Sequence, residues 1–188
     1  YFESAGLIRD VFQNHILQLV ALVAMEKPAG LTAEAVMAEK EKLISAIRPF
    51  ETEALENQII RGQYRGYRNE QGVDKNSCVE TFFAARIFID NGRWKGVPFL
   101  IKAGKKLDKN EVLIRVVFRD SGSCLFCGGN IAHENNSLTF RLSPGQGLEL
   151  DFNAKVPGSR MCMGPMKMEF SYEKAFPNFR EDGYENVI

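Results

Sequence analysis

After Phe50 the hydrophobic period of this chain changes from that of a helix to that of a strand, and this switch limits the fold more than any other feature. Before it, Leu7, Ile8, Val11, Phe12, Leu19, Val20 and Val23 recur at steps of three, four and seven. That spacing predicts a helix over 2–26, ended by Pro28. Ile16, Leu17 and Leu22 make it apolar on most sides, which predicts a central, buried helix. A second helix is predicted over 32–48, with Thr32 as N-cap and Pro49 as its stop. Beyond Phe50, strands are predicted at 58–64, 78–90, 97–103, 111–119, 138–142, 147–152 and 166–172. Within 78–90, Val79, Thr81, Phe83, Ala85, Ile87 and Ile89 take one face. Asn91-Gly92 marks a turn. Two helices followed by strands joined through turns predict an α+β fold, with helices packed on one face of a large, mainly antiparallel β-sheet. One domain over 1–188 is large enough to bury its own core.

Charge narrows the function. Lysine and arginine number 24, and so do aspartate and glutamate, so the formal net charge is zero. That balance argues against a nucleic-acid or membrane-surface role driven by bulk electrostatics. The apolar run 16–25 is about half of the roughly 20 residues that a membrane span needs. No G-x-G-x-x-G follows a strand and there is no P-loop, so the usual nucleotide-binding domains are not expected within these residues. Four cysteines without a secretion signal point to a reducing, cytoplasmic setting. Cys124 and Cys127 form a C-x-x-C, but a zinc site would need His133 and Cys162 at irregular spacing, so no metal is expected. The chain opens on Tyr1 without an initiator Met and ends at Tyr184-Glu185-Asn186-Val187-Ile188 as another element begins. A fragment truncated at both ends is the expectation.

Two segments carry chemistry. Arg9-Asp10-Val11-Phe12-Gln13-Asn14-His15 gathers an acid, two amides and one of only two histidines. An imidazole titrates near neutrality and is suited to taking a proton, while the acid and amides can bind a polyhydroxylated ligand. In an ideal α-helix Asp10 and Asn14 share a face, and His15 is rotated about 140° from Asp10. The two could then grip one sugar from different points without bonding each other. The alternative for His15 is a buried histidine bonded to a backbone carbonyl. In the second segment, an apolar strand runs through Lys102 into Gly104-Lys105-Lys106-Leu107-Asp108-Lys109. Lys105 and Lys109 could hold one phosphate if the chain turns there. The alternative is a solvated basic turn.

Together these segments resemble glucose-6-phosphate dehydrogenases. R-D-V-x-Q-N-H followed by L-V-A-M-E-x-P at 22–28 is similar to that family's substrate-binding helix. Gly62-Gln63-Tyr64, Val79-Glu80-Thr81-Phe82 and R-W-x-G-V-P-F running into G-K recur there in the same order. The resemblance is dense to about Phe118 and thinner afterwards. It implies oxidation of glucose 6-phosphate to 6-phosphoglucono-1,5-lactone with NADP, the first oxidative step of the pentose phosphate pathway. It implies His15 as general base, Asp10 binding sugar hydroxyls, and Lys105 and Lys109 binding substrate. Lys102 stands where the family often has an arginine near the nucleotide, and so becomes the cofactor-side residue. The resemblance further implies a homodimer or homotetramer formed through the sheet, with the nucleotide-binding domain preceding Tyr1. A chain lacking that domain is expected to be inactive by itself. Arg141 is kept, but Glu149-Leu150-Asp151 replaces a run that in animal members contacts a second, structural NADP. A rival reading is a non-catalytic assembly module with a vestigial ligand site.

Overall fold

The computed structural model describes residues 2–52, 55–120, 135–158 and 163–177. The chain divides into two compact units, Tyr1–Leu107 and Asp108–Val187.

In the first unit the expected long helix comes in three pieces: α1 (Phe2–Leu7), a π-helix (Ile8–Ile16) and α2 (Leu17–Ala24). Helix α3 (Ala33–Ser45) follows, and the Thr32 hydroxyl accepts the Ala35 N–H at 3.3 Å, as an N-cap should. A short α4 (Leu55–Gln58) leads into β1 (Ile59–Gly62), then β2 (Phe82–Ile87) and β3 (Phe99–Gly104). The three strands form an antiparallel sheet with β2 in the middle, registered Ile59 to Ala85 to Ile101. The alternation expected over 78–90 is present: Thr81, Phe83, Ala85, Ile87 and Ile89 are buried. Strand β2 pairs with β1 over 82–85 and with β3 over 82–87, and Ile89 instead makes an isolated bridge to Ile47.

Leu7, Phe83, Ala85, Ile87 and Ile101 form the core beneath the helices, with Ile8, Val11, Phe12 and Ile16 packed against it. The Phe12 ring meets Phe83 edge-on at 5.0 Å. Burial of Phe83 alone stabilises the unit by roughly 1.5–3 kcal/mol. The first helical stretch is not the fully buried element its composition predicts. Only Gly6, Leu7, Ala21 and Ala24 are buried, and Leu22 is 49% exposed. One stripe packs on the sheet, while the opposite side is open and mostly polar, with Ser4, Arg9, Gln13, Asn14, His15 and Gln18 exposed beside Leu22.

The second unit is an antiparallel meander in the order β4-β5-β6-β7: β4 (Val112–Val117), β5 (Ser137–Ser143), β6 (Gly147–Lys155) and β7 (Met163–Ser171). The expected sheet is therefore found as two, of three and four strands. The predicted last strand stops one residue early. Ser171 caps α5 (Tyr172–Ala175), its hydroxyl accepting the Lys174 N–H at 3.3 Å.

The two faces of this second sheet differ sharply. One carries a ladder of charge: Arg141 pairs with Glu149, Lys167 reaches Glu149 at 3.2 Å, and Arg115 reaches Asp151 at 3.1 Å. Ser137 and Thr139 are buried on this side. The Ser137 hydroxyl donates to Asp151 at 3.0 Å and, ahead of the nearby cations, holds that carboxyl below its ordinary value. The acidic run Glu149-Leu150-Asp151 is thus engaged by cations of its own sheet. The other face takes Ile114, Val116, Leu138, Phe140, Leu148, Leu150, Met166, Met168 and Phe170 by register. None of these is buried, and Met168 and Phe170 are 60% and 41% exposed.

Candidate functional site

The Arg9–His15 motif lies wholly in the π-helix, and this changes its geometry. The helix closes with the Leu17 N–H bonded to the Phe12 carbonyl, five residues back. In such a helix the residue five positions on takes the place held by the fourth in an α-helix. A π-turn takes between four and five residues, so Asn14 and His15 fall on either side of the position one turn beyond Asp10, and His15 lies nearer to the side of Asp10 than it would in an α-helix. The α-helical expectation that these two lie far round the helix from each other is corrected. Asp10 is half-buried, whereas Gln13, Asn14 and His15 are exposed. Among the described residues, neither His15 nor Asp10 has a side-chain hydrogen bond or ion pair. The alternative of a buried histidine tied to a carbonyl is not what the structure has.

The start of the π-helix is set from outside it. Gly6 has φ 71° and ψ 170°, a region open essentially to glycine alone, and it ends the regular part of α1. The Glu80 side chain lies across that glycine. Its Oε1 accepts the Ile8 N–H at 2.9 Å, and its backbone carbonyl accepts the Leu7 N–H at 3.3 Å. The next residue, Thr81, is fully buried and has three further partners. Its N–H donates to the Gly62 carbonyl at 2.9 Å, its hydroxyl accepts the Tyr64 N–H at 2.8 Å, and its carbonyl accepts the Lys105 N–H at 2.8 Å. The short motifs 62–64, 79–82 and 104–105 are thus one hydrogen-bonded junction. Gln63 completes it, its amide donating to the Ser77 and Val79 carbonyls at 3.0 and 2.9 Å.

Lys105 stands one residue past β3, with Nζ 3.2 Å from the centre of the Phe2 ring. The chain does turn there. Lys106 takes φ 54°, a left-handed conformation uncommon outside glycine, and is held by Glu70 and by the face of the Tyr64 ring. Lys106, followed by Tyr64, keeps the Glu70 carboxyl below its ordinary value. Lys109 falls in the second unit, on the exposed bend before β4. Lys102 is exposed on β3 and alternates with Phe99, Ile101 and Ala103, which pack toward the helices. It therefore lies on the sheet face away from His15.

Beside the junction is a network that the sequence did not single out. The Tyr67 hydroxyl and the Ser77 hydroxyl (2.9 Å) both donate to the Glu3 carboxylate. Burial first, then Glu3, pushes the Tyr67 phenol up to about 12. Glu3 and Tyr67 carried no signal of their own in the sequence, whereas Glu80 stood within the Val79-Glu80-Thr81-Phe82 motif. Glu80 gave the better signal, since a carboxylate between Val79 and Thr81 must find donors if it is half-buried.

Two grooves, of about 590 and 280 Å³, lie elsewhere. The larger runs along the charged face of the second sheet by Arg115, Ser137, Asp151 and Lys167. The smaller lies by Glu26, Glu39, Lys42 and Arg93 in the first unit. No group of three or more His, Cys, Asp or Glu side chains suited to a metal occurs among the described residues. The Cys124–Cys127 pair, His133 and Cys162 lie outside the described residues. No helix among them is long and apolar enough to cross a membrane.

The family model described as glucose-6-phosphate dehydrogenase, C-terminal domain, matches residues 1–188. A glucose-6-phosphate 1-dehydrogenase of Chlamydia muridarum is 40% identical over the whole chain, which spans 39% of that protein. A solved glucose-6-phosphate dehydrogenase in complex with its substrate glucose-6-phosphate superposes with TM-score 0.84 at 35% identity, covering 96% of this chain and 37% of that one. The Mycobacterium avium glucose-6-phosphate 1-dehydrogenase gives TM-score 0.80, also at 35% identity, over 90% of this chain and 36% of that one.

Proposed function

Since the chain belongs to the C-terminal domain family of glucose-6-phosphate dehydrogenases, we propose that it forms the sugar-phosphate half of an enzyme that oxidises glucose 6-phosphate at C1. Asp10 receives ring hydroxyls, His15 faces the C1 hydroxyl, and Lys105 and Lys109 hold the phosphate. The hydroxyl proton passes to the His15 imidazole as the C1–H bond breaks and its electron pair leaves as hydride. The new C1=O bond completes 6-phosphoglucono-1,5-lactone, as in the first oxidative step of the pentose phosphate pathway. The exposed imidazole, with no side-chain partner among the described residues, is open to accept a hydrogen bond and then a proton from a sugar hydroxyl.

NADP, when bound, supplies the hydride acceptor. The residues described here do not by themselves fit it, since they hold no strand, glycine turn and helix to cradle a dinucleotide. Lys102, alone and exposed, offers a point contact to one phosphate. A homodimer or homotetramer joined through the second sheet is proposed on its exposed apolar face. A reducing, cytoplasmic setting fits the free, exposed Cys78 thiol.

One observation carries the catalytic reading. His15 is exposed and unpartnered on the same π-helix as Asp10, and that helix is tied to the same junction as the lysine turn. In the full-length enzyme, His15→Asn should lower kcat about 10²–10⁴-fold with KM for glucose 6-phosphate little changed, as expected for a general base. Lys105→Ala should mainly raise KM. A His15→Asn enzyme that keeps its kcat refutes the assignment of the base.

A further inference from the structure

We propose that Glu80 is a positioning residue for the base, a role that rests on the reading of His15 given above. Its carboxylate closes the first free N–H of the π-helix, at Ile8, two residues before Asp10. The first N–H groups of a helix have no partner within it, so an outside acceptor decides where the helix begins. Here that acceptor is fixed in turn. A Cβ on Gly6 would come within 2.7 Å of Glu80 Oε1, so the carboxylate fills the space that glycine leaves. Helix start and acceptor are thus shaped to each other.

The neighbouring residue gives this capping a consequence beyond stability. Thr81 is buried, and its carbonyl holds the Lys105 N–H at 2.8 Å. Two consecutive residues therefore anchor the helix bearing the proposed base and the turn bearing the proposed phosphate ligand. The spacing between imidazole and ammonium is set at Glu80-Thr81. Removing the Glu80 carboxylate releases the Ile8 N–H at the start of the base helix, while the Glu80 carbonyl still holds Leu7 and Thr81 still holds the lysine. The expected effect falls on the chemical step and not on substrate binding, because small displacements of a reacting group cost rate steeply.

The test uses the full-length enzyme with Glu80→Ala, Glu80→Gln and His15→Asn measured side by side. Glu80→Ala should lower kcat about 10–100-fold, the scale of a misplacement near 1 Å, with KM for glucose 6-phosphate little changed. The midpoints of its pH–rate profile should stay where they are, since Glu80 exchanges no proton with substrate. Glu80→Gln keeps an oxygen acceptor for Ile8 and should restore most of the loss. In the unmodified enzyme, the Ile8 amide should exchange slowly with deuterium. Unchanged kcat in Glu80→Ala overturns the proposal where His15→Asn has lost turnover. So does a Glu80→Gln enzyme as slow as Glu80→Ala, or an Ile8 amide that exchanges freely. If Glu80→Ala does not fold, the glutamine variant and the Ile8 exchange rate still decide. Normal turnover by His15→Asn would overturn the functional reading itself, and this inference with it.

Discussion

Gly6→Ala places a methyl group where the Glu80 carboxylate already lies, and the two resulting costs can be separated. The backbone cost comes from φ 71° and ψ 170°, a region that alanine occupies only at about 1–3 kcal/mol. The second cost arises because a Cβ would sit 2.7 Å from Glu80 Oε1, so the carboxylate must leave the Ile8 N–H. A hydrogen bond to a charged group is worth about 1.5–3 kcal/mol, and this one is only partly buried, so the lower end applies. The sum is about 2.5–4.5 kcal/mol of lost stability. Denaturant unfolding followed by the fluorescence of Trp94 measures it, because that residue is the only tryptophan of the chain. Its indole N–H donates to Ala24 at 2.8 Å, so it reports the unit in question. The cycle with Glu80→Ala is the sharper test. Once the carboxylate is gone, Gly6→Ala should add only the backbone cost, so the double variant should fall short of additivity by about 1.5 kcal/mol or more. A neutral Gly6→Ala, or strict additivity with Glu80→Ala, refutes the account of this junction.

Tyr67 makes stability depend on pH in the alkaline range. Its phenol is raised from 10.0 to about 12 in the folded protein, so between those values the unfolded chain has lost a proton that the folded one keeps. Stability is therefore complete below pH 10 and falls as pH rises toward 12. Tyr67→Phe should flatten that limb in unfolding curves, and an unaltered limb would reject the assignment. Leu150→Asp puts a charge in the middle of the exposed apolar face of the second sheet, and sedimentation should then show a smaller assembly than the parent enzyme. An unchanged sedimentation coefficient would place the subunit contact elsewhere.

The strands were readable because half-buried sheets impose a strict period of two. The run Thr81, Phe83, Ala85, Ile87, Ile89 shows this, each residue buried and each separated by a less buried one as far as Phe88. Where a strand ends was less readable, since ends are decided by partners. Ile89 has the right parity but meets Ile47 in place of β3. At the other end of the chain, the Ser171 cap diverted Tyr172 into a helix although it continued the alternation. The first helix was over-read as buried because composition counts apolar residues without saying which side is covered. Leu22 contributes as much to that count as Ala21, yet one is 49% exposed and the other is completely buried.

The candidate site was legible in its residues and not in its geometry. Asp10 and His15 are five apart, which in an α-helix sets them about 140° apart around the axis. The sequence offers no proline or glycine pair inside 8–16 to announce a change of helix type. The cause lies outside the segment. Ile8 is held by Glu80 at one end, Phe12 is held against Phe83, and Ile16 packs on the same core before the regular helix resumes at Leu17. A helix pinned to a sheet at these points can place the polar residues between them only by choosing its pitch. The wider turn brings His15 nearer to the side of the half-buried Asp10 than an α-helix does, while Ile8, Val11, Phe12 and Ile16 pack inward.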